Sequence, residues 1–361
     1  MKEKIKNLST YYLPFGIGEA EVPKLLIINK FQTIAFFANC CYNYVMIFRK
    51  LVALFLLPLW SYFASPAIRF SPVENGPLLR SLPPRYAHLQ MEARQVTGDF
   101  AEEGRTDRIY VLKEGDTPVF ILKTLDMKKE DEKRDYYQEK RAFEVVQSKH
   151  FHRFRTPRLA YIGVKENTGM LIETPAAGKS LVWWLQDRTP EGREALKDAV
   201  EEAAIALAEL HTSHKFSTPA PYYQKLYPAS SLPGPYGLIH GDVHPGNIFF
   251  DGKSITFIDL SSLYPSLNGA PVALDVAHFT LMLRAFAGYY GVPKKEVELL
   301  VTQFLTTYRK HGYALSDKLI ESYMKLIAHE YASYLAEGIG SQDHQILYVK
   351  RFMTSSGLAN S

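Results

Sequence analysis

Two short apolar runs, Ile248-Phe249-Phe250 and Ile255-Thr256-Phe257-Ile258, are joined by Asp251-Gly252. Turn residues of this kind between apolar runs signal a β-hairpin. A hairpin here returns the chain to its starting end, so Asn247 and Asp259 are expected side by side. The whole stretch, 238–260, reads LIHGDVHPGNIFFDGKSITFIDL, with Asp242 five residues before Asn247 and Asp259 twelve after it. One carboxylate that can take a proton then lies near an amide oxygen and a second carboxylate, both suited to a hard divalent cation. A polar surface loop explains any one of these residues, but not spacing, hairpin and flanks together.

The run His240-Gly241-Asp242-Val243-His244-Pro245-Gly246-Asn247 resembles the HGDxHxxN catalytic loop of the aminoglycoside phosphotransferase and choline kinase group, and of the bacterial lipopolysaccharide-core sugar kinases. Protein kinases usually carry Arg where Gly241 stands and Lys where His244 stands. The resemblance implies phosphoryl transfer from ATP, with Asp242 as catalytic base and Asn247 and Asp259 as Mg²⁺ ligands. It also implies an α+β, bilobal, protein-kinase-like fold: a small antiparallel-sheet N-lobe and a helical C-lobe.

The remaining parts of such a fold can be traced. Arg108–Leu112 and Val119–Lys123 read as strands about the turn Gly115-Asp116, which puts Lys123 where the kinase lysine holds the α- and β-phosphates. Residues 129–148 are helical in composition, and Glu139, Phe143 and Val146 recur at i, i+4 and i+7. Glu139 is therefore the expected partner of Lys123, with Glu144 as its rival. The phosphate-covering loop falls between Gly98 and Gly104. It has no G-x-G-x-x-G and holds Asp99, Glu102 and Glu103. Arg158–Ile162 and Met170–Glu173 read as further strands, with Glu173-Thr174-Pro175 as the hinge whose backbone meets adenine. Gly178-Lys179-Ser180-Leu181 resembles the turn that opens the C-lobe. Residues 194–211 form an amphipathic helix with Val200, Ala204, Leu207 and Leu210 on one stripe. Residues 212–237, rich in Pro and Tyr, read as a loop that either packs on the lobe or meets substrate.

Composition bounds the setting. The 361 residues are 47% hydrophobic and 22% charged, a globular balance. The net charge of +4 argues against a large nucleic-acid footprint. Residues 1–70 hold eight Lys or Arg against three Glu, so the basic excess lies there. The adjacent Cys40 and Cys41 cannot staple the fold, which suits a reducing compartment. Residues 1–64 form an apolar, basic extension, residues 65–84 a linker, 85–175 the N-lobe and 176–361 the C-lobe. Three readings fit the apolar runs 31–48 and 51–63. One is a helix or helical hairpin seated on a membrane through residues 24–64, with Lys24, Lys30, Arg49 and Lys50 against anionic lipid. Another is a buried helical extension of the catalytic core. The last is a signal-like segment starting at Met46. The expected location is the cytoplasmic side of a membrane, or else the soluble cytoplasm.

After Asp259 the chain reads Leu260-Ser261-Ser262, and Asp275-Val276-Ala277 follows sixteen residues on. That spacing leaves little room for a long peptide-docking loop. The expected acceptor is therefore a hydroxyl on a small molecule, a sugar or a lipid-linked glycan. Two other functions are compatible with the sequence: a pseudokinase or membrane scaffold without turnover, suggested by the acidic phosphate loop, and an atypical protein kinase.

Overall fold

The computed structural model describes residues 69–72, 78, 82–95, 109–226 and 233–336. The chain divides into two units, 1–66 and 67–361. The apolar extension, including residues 24–64, and the phosphate loop with Gly98 and Gly104 lie outside the described residues. Among those described, no helix is long and apolar enough to cross a membrane.

The N-lobe is a six-stranded antiparallel sheet in the order β1-β2-β3-β4-β6-β5. Its strands are β1 (Arg69–Pro72), β2 (Gln90–Gln95), β3 (Ile109–Glu114), β4 (Thr117–Asp126), β5 (Leu159–Lys165) and β6 (Thr168–Glu173). The segment expected as linker is partly structural: Arg69–Pro72 pairs with β2, and Leu82 is buried in the lobe's core. The Gly115 turn between β3 and β4 has φ +59, a left-handed value that glycine takes without steric cost.

Helix α1 (Glu130–Ser148) carries three acidic residues in its first turn, favourable against the positive end of the helix dipole. Tyr136, Glu139, Ala142, Phe143 and Val146 are its buried stripe.

Past β6 the chain becomes mainly helical. The two-residue strand β7 (Lys179–Ser180) leads into α2 (Leu181–Gln186), whose first turn is capped by Ser180 Oγ accepting from Trp183 N. Helix α3 (Pro190–Ser213) starts with a Thr189 cap and Pro190 in its first turn, and buries Val200, Ala204, Leu207 and Leu210 as their spacing predicts. Each such Val or Leu contributes roughly 1.5–3 kcal/mol over an exposed position. The stretch read as a loop holds helix α4 (Pro221–Leu226) and strand β8 (Tyr236–Gly237).

Strands β9 (Ile248–Phe250) and β10 (Ile255–Phe257) form the expected hairpin, in the register Ile248↔Phe257 and Phe250↔Ile255. Beyond it, the 3₁₀ helix Ser261–Asn268 packs against α1, and β11 (Ala270–Pro271) pairs with β8. Helix α5 (Ala273–Tyr289) is buried on nearly every side, as suits a helix apolar all round. It packs against α6 (Lys294–His311) and α7 (Asp317–Ala336).

Candidate active site

The β9–β10 register places Asn247 and Asp259 at one end of the ribbon, where Ile258 N–H donates to Asn247 O at 3.0 Å. Asn247 is buried. Its Nδ2 donates to the backbone oxygen of Asp242 at 3.1 Å and to Asp242 Oδ2 at 3.2 Å. With both contacts made through the amide nitrogen, the amide oxygen is directed elsewhere and is available to a cation. Asp259 has φ +61, a left-handed conformation uncommon outside glycine but tolerated by Asp. Backbone conformations of this kind cluster at functional sites. Burial opposes ionisation of Asp259, but Lys123 and the hydrogen bond from Ser261 Oγ outweigh it and hold its carboxyl below the usual range.

Histidines tie this loop to its surroundings. His240 Nδ1 accepts from Asp242 N at 3.3 Å, which leaves Nε2–H to donate to Ile258 O at 2.9 Å. It therefore joins the Asp242 loop to the strand that delivers Asp259. His244 Nδ1 accepts from Gly246 N at 3.1 Å, so its Nε2–H faces Asp242 Oδ2 at 3.8 Å. The ring stacks on Phe286, with centroids 5.9 Å apart.

The loop backbone is held from beneath by Asp275, which is buried. Its carboxylate accepts from His240 N at 2.7 Å, Gly241 N at 2.9 Å and His211 Nε2 at 3.1 Å. His211 Nδ1 in turn accepts from Tyr308 O–H at 2.8 Å. Burial alone would raise the Asp275 carboxyl, but these hydrogen bonds hold it below its usual range. Gly241 has φ +87, and a Cβ there would stand 2.4 Å from Ser262 O. The residue that departs from the protein-kinase pattern is thus fixed by backbone and by space.

Across the cleft, Lys123 Nζ lies 2.6 Å from Glu139 Oε1. The pairing expected from helical spacing is present, while Glu144 is exposed and pairs with Arg141. Glu173 is buried at the end of β6. Its backbone is in the ladder between β4 and β5, the Thr174 N–H is taken by Arg158 O, and Pro175 has no N–H to offer. Its side chain instead turns inward, with Oε1 3.8 Å from Lys123 Nζ. One lysine cannot neutralise Glu139, Glu173 and Asp259 together. Burial, with repulsion from the neighbouring carboxylates, pushes Glu139 up to about 7 against the pull of Lys123, and raises Glu173 as well. Burial works against the Lys123 ammonium, yet the three carboxylates prevail and raise it.

Asp242 also lines a cavity of about 410 Å³ together with Arg134, Tyr222, His278, Glu330 and Tyr331. His278 Nε2 lies 3.1 Å from Tyr331 OH, and burial lowers the imidazole below its usual value. His211, Tyr308, His278 and the inward side chain of Glu173 are not among the site groups expected from the sequence. Alternation along β6 was a signal for Glu173. No local pattern marked the histidines, whose partners lie 53 or more residues away.

Residues 225–279, which contain the loop, the hairpin and Asp275, match the model of the phosphotransferase enzyme family. An antiparallel-sheet lobe followed by a helical lobe, with Lys123 and Glu139 paired, is the bilobal arrangement expected of a protein-kinase-like fold. The matched segment holds Asp242, Asn247, Asp259 and Asp275, while the paired Lys123 and Glu139 come from outside it. No curated protein matches the sequence at a significant level. Among solved structures, an aminoglycoside-3'-phosphotransferase of type VIII is similar at 16% identity and a TM-score of 0.45, over 68% of this chain and 95% of that one. A thermostable mutant of aminoglycoside phosphotransferase APH(4)-Ia, in a ternary complex with AMP-PNP and hygromycin B, is similar at 14% identity and a TM-score of 0.43, over 81% and 96%. An aminoglycoside phosphotransferase from Alicyclobacillus acidocaldarius is similar at 13% identity and a TM-score of 0.42, over 74% and 91%.

Proposed function

We propose that the chain is an ATP- and Mg²⁺-dependent phosphotransferase acting on a hydroxyl of a small molecule, sugar or lipid-linked glycan. The observation that carries this reading is the placement of Asp242. It is hydrogen-bonded to Asn247, backed by Asp275, and forms part of the wall of a cavity large enough for a small acceptor. When bound, ATP supplies the phosphoryl group and Mg²⁺ neutralises its charge.

The residues present fit that pair. Among the described residues, no three His, Cys, Asp or Glu side chains converge as a metal site. One carboxylate and one amide oxygen, Asp259 and Asn247, are the protein share that Mg²⁺ takes when phosphates complete its shell. Lys123, positioned by Glu139, would neutralise phosphate oxygens. Asp242 would accept the proton of the acceptor hydroxyl, its carboxylate oriented by Asn247 Nδ2. Tyr222 offers an aromatic face and Arg134, Glu330 and His278 offer polar groups, a lining suited to a polyhydroxyl compound.

A small acceptor is favoured over a peptide by the segment after Asp259. It is folded throughout, as the 3₁₀ helix Ser261–Asn268 packed on α1 and then β11. A setting at the cytoplasmic face of a membrane rests on the basic and apolar composition of residues 24–64. The test of function is Mg²⁺-dependent transfer of labelled phosphate from ATP to a component of a small-molecule and glycan extract. Labelling of proteins alone would refute the acceptor class, and no ATP consumption would refute the enzyme. Removing residues 1–64 should release the protein from the membrane fraction.

A further inference from the structure

Lys123 has two carboxylate partners that reach it from different kinds of support. Glu139 comes from α1, a helix whose place depends on packing. Glu173 comes from the sheet that carries Lys123. Lys123 is paired with Leu171, and Ile121 with Glu173, so Lys123 and Glu173 are diagonal neighbours on one face of adjacent strands. Long side chains at such positions meet without any help from a helix. Both glutamates are nearly excluded from water, with side-chain exposures of 6% and 5%. A buried carboxylate without a cation is costly, and Lys123 is the cation at this one.

We propose that Glu173 is a second positioning residue for Lys123, a sheet-borne carboxylate that keeps the ammonium at the cleft when Glu139 is disengaged. The inference rests on the kinase reading for its purpose, since Lys123 is the residue expected to meet phosphate. Its geometry stands apart from that reading. Glu139 is the nearer and stronger partner, at 2.6 Å against 3.8 Å. Loss of Glu173 alone should therefore be mild, and loss of Glu139 alone should be cushioned. Loss of both should exceed the two effects combined.

The experiment uses the full chain and the variants Glu139→Gln, Glu173→Gln, Glu173→Leu and the Glu139→Gln/Glu173→Leu double variant. The first readout is the rate of Lys123 acylation by an amine-reactive ester, followed by peptide mass spectrometry, with thermal unfolding to confirm that each variant is folded. The single variants should raise acylation a few-fold. The double variant should raise it about tenfold beyond their product, the non-additivity of residues sharing one partner. The second readout is kcat and KM for ATP, where the same non-additivity should fall on KM. Glu173→Leu keeps the buried volume, so a packing role would leave Lys123 reactivity unchanged. Multiplicative effects on acylation, or full exposure of Lys123 in Glu139→Gln alone, would overturn the proposal. Non-additive acylation in a chain that consumes no ATP would uphold the second anchor and refute the kinase reading.

Discussion

The carboxylate of Asp275 accepts the backbone N–H of Gly241 at 2.9 Å, although 34 residues separate them. Its other oxygen accepts from His240 N and His211 Nε2. A buried helix thus fixes the backbone on which Asp242 rides. Asp275→Ala leaves two N–H groups and an imidazole without their acceptor, and should cost about 3–5 kcal/mol of stability. Asp275→Asn keeps one oxygen and should cost less. Urea unfolding of the two variants checks the order.

Asp242→Asn should behave differently. Asp242 is part-buried and its loss strands no buried donor except one of two Asn247 contacts. Stability should hold, while turnover falls by about 10²–10⁴-fold, the usual contribution of a general base. Comparing kcat with nucleotide affinity for the variant separates a loss of chemistry from a loss of binding.

Gly241→Ala places a Cβ at φ +87 and 2.4 Å from Ser262 O. The left-handed strain alone costs of order 1–3 kcal/mol, and the contact adds to it because the neighbour is backbone. The midpoint of chemical denaturation should fall accordingly.

Stability should also depend on pH through Glu139. Its carboxyl is pushed up to about 7 from an ordinary 4.5, so the folded state holds a proton that the unfolded chain has lost. The contribution is complete below the unfolded value and disappears as pH rises through 7, a loss on the order of 3 kcal/mol. Glu139→Gln should flatten the slope of stability between these limits.

The cavity beside Asp242 gives a prediction about the acceptor. Tyr222 lines it and is half exposed. Tyr222→Ala should raise KM for the acceptor about 3- to 10-fold, the value of one lost contact of this kind, and leave KM for ATP unchanged. Equal changes in both would place the acceptor elsewhere.

Much of this arrangement was legible in the sequence because it depends on short-range pattern. The hairpin followed from Asp251-Gly252, and it alone brings Asn247 to Asp259. The inward face of α1 followed from helical spacing, which sets Glu139 on the side of the helix that meets Lys123. What stayed hidden depends on register between distant strands or on packing between distant helices. Glu173 read as a hinge because it precedes Thr174-Pro175. Its meeting with Lys123 requires the alignment of β4 with β6, which no local rule supplies. The chain Tyr308, His211, Asp275 links three helices and leaves no periodic trace. The strand Arg69–Pro72 was concealed by the prolines and serines around it, since its edge position suits such residues.

The close approach of Gly241 to Ser262 has one more consequence. The loop that carries Asp242 and the segment that follows Asp259 are matched by shape, where an arginine would match them by charge. A steric fit is indifferent to ionic strength and to the ionisation of its neighbours, whereas a charged tether weakens with salt and answers to any phosphate placed nearby. This part of the loop's alignment is set by shape when the chain folds, beside the Asp275 carboxylate that holds its backbone.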